Sequence, residues 1–443
     1  MNTTAWRRGE CKMPGGKLVA VSVRPGDVAR IDGDFFVEGD ADGARTLLDA
    51  LQRTIGQVSA GDANADVSRE TTPHGDDRAG IDRTAPSGRA DAWIAAMAAR
   101  LRKAMDAHPA TTLAGADERT IATAAARALG IADAPRPTPA RRPTPTTRDD
   151  APDARRSLPD VRRIAGLAVV LDDPREPAMQ LALDQACAEA VAAGAMPPLL
   201  RFWRWDRAAV VIGRFQSLGS EVHVDRAEAE GVTVVRRITG GGAMFAEPDA
   251  VITYSLVAPL DFVEGVDVED SYRACDGWVL DALRSMGVEA RYQPINDIAS
   301  AHGKIGGAAQ RRFPAPHGSH GPGAVLHHTM MSYDMDAAKM LRILNVSREK
   351  MSDKAVRSAA KRVDPLRSQT GLAREDVIAR MIATLVGGGD GHGNAADASS
   401  HEVGSSFPVV RTAADAIPES VLRRARELAA DRFSSPAWTA VIP

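Results

Sequence analysis

Two stretches of this 443-residue chain carry residues whose types and spacing could do chemistry. The first is Arg236-Arg237-Ile238-Thr239-Gly240-Gly241-Gly242-Ala243-Met244-Phe245. Glycine tolerates positive φ and lets a ligand come close to the backbone, and successive free N–H groups there can form a nest for an anion. Arg237 adds a fork of donors suited to a carboxylate or phosphate. The second stretch is Asn296-Asp297-Ile298, followed by Gly303-Lys304-Ile305-Gly306-Gly307-Ala308-Ala309-Gln310. A lysine among glycines can reach an acidic ligand without side-chain crowding. Asp297 is the candidate Mg²⁺ ligand, since that ion prefers carboxylate and phosphate oxygens. Read singly, the first stretch is also a tight turn with two solvated arginines. The second, read singly, is also a surface lysine on a glycine-rich hairpin beside an Asn-Asp turn.

The elements around these stretches say how they are held. Val232 to Val235 is a β-branched run that leads into the first stretch, and 250–257 is a returning strand after the Glu247-Pro248-Asp249 turn. The glycines therefore sit between strands and do not open a helix, as a Walker loop or a Rossmann fingerprint would. Leu167 to Leu171, Leu199 to Trp203, Ala208 to Ile212, Val288 to Gln293 and Ala324 to Met331 read as further strands. Pro177 suits a first helical turn, with Met179, Leu183, Cys187 and Val191 four apart along the helix. Ser271 to Ser285 and Asp376 to Leu385 are helical, as is Pro418 to Ala430. Strands and helices mix without a regular βαβ alternation, which predicts an α+β architecture around a mixed or antiparallel sheet.

The first third reads as a separate small α+β unit. Lys17 to Val23 alternates as a strand, Pro25-Gly26-Asp27 is a turn, and Val28 to Phe36 is a second strand. Ala44, Leu47, Leu48, Leu51 and Ile55 share one helical face. Residues 57–90 are polar and read as a flexible insertion. A helix from Asp91 to Met105 carries Trp93, Met97, Leu101 and Met105 on a core face, and a shorter one runs from Ala116 to Leu129. Residues 131–164 begin with a run of prolines and arginines and form a stiffened linker. A second flexible insertion, 387–406, holds His392 and His401 as solvated residues. The domains expected are thus 1–130, 165–375 and a small C-terminal subdomain, 376–443.

Net charge is −3, so nothing global points to nucleic acid, and no apolar run approaches the ~20 residues of a membrane span. Three scattered cysteines and a polar beginning without a signal peptide predict a cytoplasmic protein.

The string RR-x-TGGGA followed by an aromatic resembles the signature loop of the lipoate–protein ligases, of the biotin/lipoate ligase superfamily. The spacing N-D…G-K-x-x-G-x-A and the strand Ala324 to Met331 resemble the same family, and the likeness continues from about 165 to 385. Residues 11–56, with Pro14-Gly15-Gly16-Lys17 and Gly33-Asp34-Phe35-Phe36, resemble the family's accessory domain, here placed first in the chain. The resemblance implies a two-step reaction. ATP and Mg²⁺ activate (R)-lipoate to lipoyl-AMP, and the lipoyl group then passes to a lysine of a carrier. That carrier is a lipoyl domain of a 2-oxo-acid dehydrogenase acyltransferase subunit or the glycine cleavage H protein. Lys304 would be the catalytic residue. Arg237, Gly240, Gly241, Gly242, Ala243, Met244, Phe245, Asn296, Asp297, Gly307, Ala308 and His328 would bind ATP or the adenylate. Val211, Phe245 and Tyr254 are candidates for the apolar slot of the acyl tail, or plain core.

Two positions depart from the family pattern. Ala246 stands where the family usually has histidine, and Gly303 precedes Lys304 where a second basic residue is common. A sister group moves octanoyl groups with a cysteine placed shortly before the lysine motif. Here that stretch is Arg291-Tyr292-Gln293-Pro294-Ile295. A non-catalytic lipoate- or nucleotide-binding protein is the remaining alternative.

Overall fold

Alternation along the apolar runs decides the architecture. In the computed structural model the described residues are 5–13, 16–39, 41–57, 86–133, 158–345, 363–387 and 408–443. Most of the linker and both insertions expected from composition lie outside them, as do Pro14, Gly15, His392 and His401. The described residues form two compact units, one within Met1–Arg141 and one within Arg142–Val346 and Ala355–Pro443.

In the first unit, β1 (Arg7–Lys12), β2 (Leu18–Val23) and β3 (Arg30–Gly33) pair antiparallel. The strand expected over Val28 to Phe36 is broken. Gly33 turns the chain at φ 147°, and β4 (Phe36–Glu38) pairs instead with β5 (Thr112–Ala114). Helix α1 (Ala41–Gly56) buries Leu47, Leu51 and Ile55, the stripe expected. Helix α2 starts earlier than expected, at Pro86, and runs to Asp106, burying Trp93, Met97 and Leu101. Helix α3 (Glu118–Leu129) begins at Asp117, whose carboxylate accepts the Thr120 amide at 2.7 Å, and ends at Gly130 in the left-handed region.

The second unit is built on an eight-stranded mixed sheet. Its strands are β6 (Ala168–Arg175), β7 (Leu199–Trp205), β11 (Val251–Pro259), β12 (Arg291–Gln293), β13 (Asp297–Ala299), β14 (Lys304–Phe313), β15 (Ala324–Ser332) and β16 (Val409–Thr412). They lie in the order β12-β13-β14-β15-β11-β7-β6-β16. Only the β6–β7 and β16–β6 pairs are parallel. The fold is the expected α+β class. A smaller sheet, β10-β8-β9, is made of β8 (Ala209–Ile212), β9 (Thr233–Arg236) and β10 (Met244–Ala246).

Side chains alternate along the central strands, so each strand serves two layers. On one face lies helix α4 (Pro177–Ala192), whose Asp184 receives Ser255 and His328. On the other lies helix α5 (Val268–Ser285), whose Asp276 receives Tyr254 and His327. Neighbouring residues on β11 and β15 thus reach opposite helices. Helix α6 (Arg374–Val386) follows α5, and α7 (Glu419–Leu428) packs on α4. The strand expected over Val288 to Gln293 shortens to β12. Strand β14 forms the second arm of the glycine-rich hairpin that was one reading of Gly303 to Gln310, paired antiparallel with β13.

Candidate active site

The signature loop leaves β9 and returns in β10. The two arginines that open it point inward. Arg236 is fully buried and donates to the carbonyls of Gly213 at 2.9 Å, Gln216 at 2.6 Å, Thr439 at 2.7 Å and Ile442 at 3.2 Å. The Trp438 indole donates back to the Arg236 carbonyl at 2.8 Å. Arg236 therefore fastens the segment Trp438–Ile442 to the root of the loop.

Arg237 is 2% exposed, which differs from the outward anion fork expected of it. Its guanidinium donates to the carbonyls of Gly240 at 2.6 Å, Gly242 at 3.0 Å and Val211 at 3.2 Å. A trans peptide plane points its C=O and N–H in opposite directions. With the Gly240 and Gly242 carbonyls turned in, the amides of Gly241 and Ala243 turn out. Arg237 thus shapes the nest instead of lining it. Among the described residues, none of the amides from Gly240 to Ala243 donates to a carbonyl or side chain. Gly241 has φ 91°, and its carbonyl passes so near Gly213 that a Cβ there would sit 2.0 Å from it, so both positions require glycine.

Lys304 is aimed by an irregularity in the ladder. Asp297 pairs with Gly307 and Ile298 with Gly306, but Ala299 then pairs with Lys304 where regular pairing gives Ile305. The extra residue re-aims the strand start, as bulges beside functional sites do. The ammonium comes to rest on Asp297 Oδ1 at 2.9 Å, directly over Gly307. Asn296 is occupied structurally: its amide and carbonyl both clasp Ala308.

The two stretches meet on one face of the sheet. His328 pairs with Ala309, and Gly307 lies two residues along the same strand, hence on the same face and about 7 Å away. His328 Nε2 lies 2.8 Å from Thr239 Oγ1, which ties the loop to that face. Lys304, Asp297, Gly307, Ala309, His328 and the Thr239–Gly242 turn therefore form one surface. Burial alone would raise Asp184, but Arg201 and His328 outweigh it and hold the carboxyl below its usual range. Burial, together with Arg237 and His327, holds His328 below the ordinary histidine value despite Asp184. Beside the loop, burial and the like charges of Arg311 and Arg432 bring Arg214 down to about 10. This basic edge favours anions.

Other expected residues fall elsewhere. Val211, Phe245 and Tyr254 are fully buried. Ala246 is likewise buried in the core, where Ala209 pairs with it. Met244 and Ala243 are half-buried at the edge of the loop. Among the described residues, no three His, Cys, Asp or Glu groups are placed to hold a metal, and Asp297 offers a single carboxylate shared with Lys304. Sequence reasoning missed Asp184, Arg201 and Gly213, and it gave Thr239 no role. Only a polar residue on a buried helical face marks Asp184 in the sequence.

Residues 176–386 match the family described as the lipoyl protein ligase A/B catalytic domain. The chain is 32% identical over 200 residues to lipoate-protein ligase A subunit 1 of Thermoplasma acidophilum, over 45% of this chain and 74% of that one. It is also 32% identical over 200 residues to the octanoyltransferase LipM of Symbiobacterium thermophilum, over 40% of this chain and 69% of that one. The solved structure of a bi-partite lipoate protein ligase from Thermoplasma acidophilum, studied with its E2 lipoyl domain, is similar at a TM-score of 0.50 and 26% identity. That match covers 63% of this chain and 98% of the other.

Proposed function

The chain belongs to the lipoyl protein ligase A/B catalytic-domain family, and from that premise we propose that it is an ATP-dependent lipoate–protein ligase. In the first step the lipoate carboxylate attacks the α-phosphate of ATP, forming lipoyl-AMP and releasing pyrophosphate. The outward amides of Gly241 and Ala243 receive phosphate oxygens, and Lys304 stabilises the charge that develops between the acyl and phosphate groups. Asp297 would supply one of the one or two carboxylates that Mg²⁺ takes beside phosphate oxygens, and the ion would neutralise phosphate charge there. In the second step the lysine of a lipoyl domain attacks the mixed anhydride and AMP leaves. Much of that gain is orientation. The glycine cleavage H protein is a second acceptor of this kind, and the cytoplasm is the compartment we assign.

The observation that carries this reading is the Lys304 ammonium, held on Asp297 over Gly307 on the face that carries the glycine loop. Octanoyl transfer is the second reading, favoured by the likeness to LipM. It needs a thiol beside the lysine. Cys187 is buried on α4, and burial pushes its thiol up to about 12. Cys275 is buried on α5, across the sheet from Lys304. Cys11 lies in the first unit. The placements of Cys187 and Cys275 favour the ligase.

The Thermoplasma relative is a bi-partite ligase. We assign residues 1–130 here to the accessory role, needed for adenylate formation, and 165–375 to catalysis, with 376–443 as a small subdomain. Lipoate-dependent ATP–pyrophosphate exchange tests the proposal. Exchange is the expected result. Acyl transfer from an octanoylated carrier without ATP, and no exchange, would replace the ligase by the transferase.

A further inference from the structure

Beneath the signature loop runs a buried chain of hydrogen bonds that the loop's own residues do not announce. Arg201 on β7 donates to Asp172 at 2.7 Å and to Asp184 at 2.6 Å. The other Asp184 oxygen takes Ser255 Oγ at 2.8 Å and His328 Nδ1 at 2.9 Å. His328 Nε2 meets Thr239 Oγ1 at 2.8 Å, and Thr239 Oγ1 meets Arg237 Nε at 3.1 Å. Arg201, Asp184, Ser255, His328, Thr239 and Arg237 are all buried.

The proton positions follow from what each group can do. A carboxylate only accepts, so His328 Nδ1 carries the hydrogen. Burial, with Arg237 and His327 nearby, disfavours a second proton on the ring, so Nε2 presents a lone pair. Arg237 Nε can only donate, so Thr239 Oγ1 accepts from it and gives its own hydrogen to His328. Every donor along the chain has one direction, and the hydroxyl has no rotamer left to choose.

We propose that Asp184 and His328 are positioning residues which, through the Thr239 hydroxyl, hold Arg237 in the pose that turns the Gly241 and Ala243 amides toward the nucleotide phosphates. This rests on the ligase reading above. In this role both act through Arg237. The arrangement makes the nest conditional on an uncharged His328. Protonation would turn Nε2 into a donor, reverse its hydrogen bond with the Thr239 hydroxyl, and set two cations side by side. The groups that face His328 are Asp184 from α4, Arg237 from the loop and His327 beside it on β15, with Arg201 from β7 behind Asp184. Its folded pKa is depressed, so the ordered loop is present at and above the ordinary histidine value of about 6.5. It is lost as pH falls through the lower folded value.

The test uses the full chain and lipoate-dependent ATP–pyrophosphate exchange, with KM for ATP and for lipoate and a thermal melt for each variant. His328→Leu and Thr239→Val remove the link at either end. Each should cut exchange by ~10²-fold, the usual cost of a misplacement of about 1 Å. The loss should fall on ATP more than on lipoate. The double variant should cost no more than either alone, because both break one link. His328→Gln puts an amide oxygen near the place of Nε2, so it should recover most of the exchange. It cannot titrate, so its acid limb should vanish. Should His328→Leu fail to fold, Thr239→Val keeps the shape and carries the same prediction. A folded Thr239→Val with wild-type exchange and an unchanged pH profile overturns the proposal. So does additive loss in the double variant, or an acid limb that survives in His328→Gln. Absence of exchange in the wild-type chain overturns the ligase reading instead.

Discussion

Gly307→Ala is the most specific perturbation the site allows. A Cβ at this position would lie 2.6 Å from Lys304 Nζ, 3.0 Å from Lys304 Cε and 3.3 Å from Asp297 Oδ1. Ordinary contact begins at about 3.5 Å, so the ammonium must withdraw by about 1 Å and gives up its 2.9 Å bond to Asp297. The obstacle is the far end of a flexible side chain, which can move without disturbing backbone. The half-exposed ion pair it breaks contributes only ~0–1 kcal/mol. Stability should therefore barely change. Catalysis should change a great deal, since a reacting group displaced by about 1 Å costs ~10²-fold. The assay is lipoate-dependent ATP–pyrophosphate exchange beside a thermal melt. Gly306→Ala is the contrasting control. Its Cβ would meet the Met330 carbonyl at 2.7 Å and the Met331 Cα at 3.2 Å, and backbone does not yield. That variant should lose melting temperature as well as activity. A Gly307→Ala protein that melts normally and exchanges at the wild-type rate would refute the placement of Lys304 as the reacting cation.

Lys304→Ala should lower exchange by ~10²–10³ while the melting temperature holds, and near-normal lipoyl-adenylate formation would remove the lysine from the mechanism. A chain of residues 160–443 should make little adenylate from lipoate and ATP yet pass lipoyl from supplied lipoyl-AMP to a lipoyl domain. Addition of the 1–130 fragment should restore activation in proportion to its concentration, and full activity without it would give the first unit another task. Arg236→Met should cost roughly 3 kcal/mol in denaturant unfolding, because several buried carbonyls lose their donor at ~1–3 kcal/mol each before relaxation. An unchanged unfolding midpoint would show that the Trp438–Ile442 segment is held by other means.

The strand–loop–strand setting of the glycines was legible because Val232 to Val235 and 250–257 are β-branched runs bounded by turn residues. The α4 stripe and the α1 stripe were legible from helical spacing alone. Strand β14 was not, because Gly306, Gly307, Ala308 and Ala309 have low strand propensity and their pairing with β15 decides the matter. The split at Gly33 was hidden for the opposite reason, since the residues around it are good strand formers and one backbone angle breaks the run. The motif arginines were placed in the right stretch, but sequence cannot say whether a guanidinium faces out or in. Here the carbonyls of Val211, Gly240 and Gly242 hold Arg237. Asp184 was silent because its partners His328 and Arg201 come from other strands, and only the pleat brings them to it.

The grip of Arg236 on Thr439 spans 203 residues of sequence. Chains emerge from the ribosome at ~5–20 residues per second, so the strand that opens the loop waits roughly 10–40 s for the segment that anchors it. During that interval Arg237 can already gather the glycine carbonyls, but Arg236 at the root of the loop lacks its Thr439 and Ile442 acceptors. The root of the loop is thereby closed by a segment that follows it by about two hundred residues, so it reaches its final form only after Thr439 has emerged.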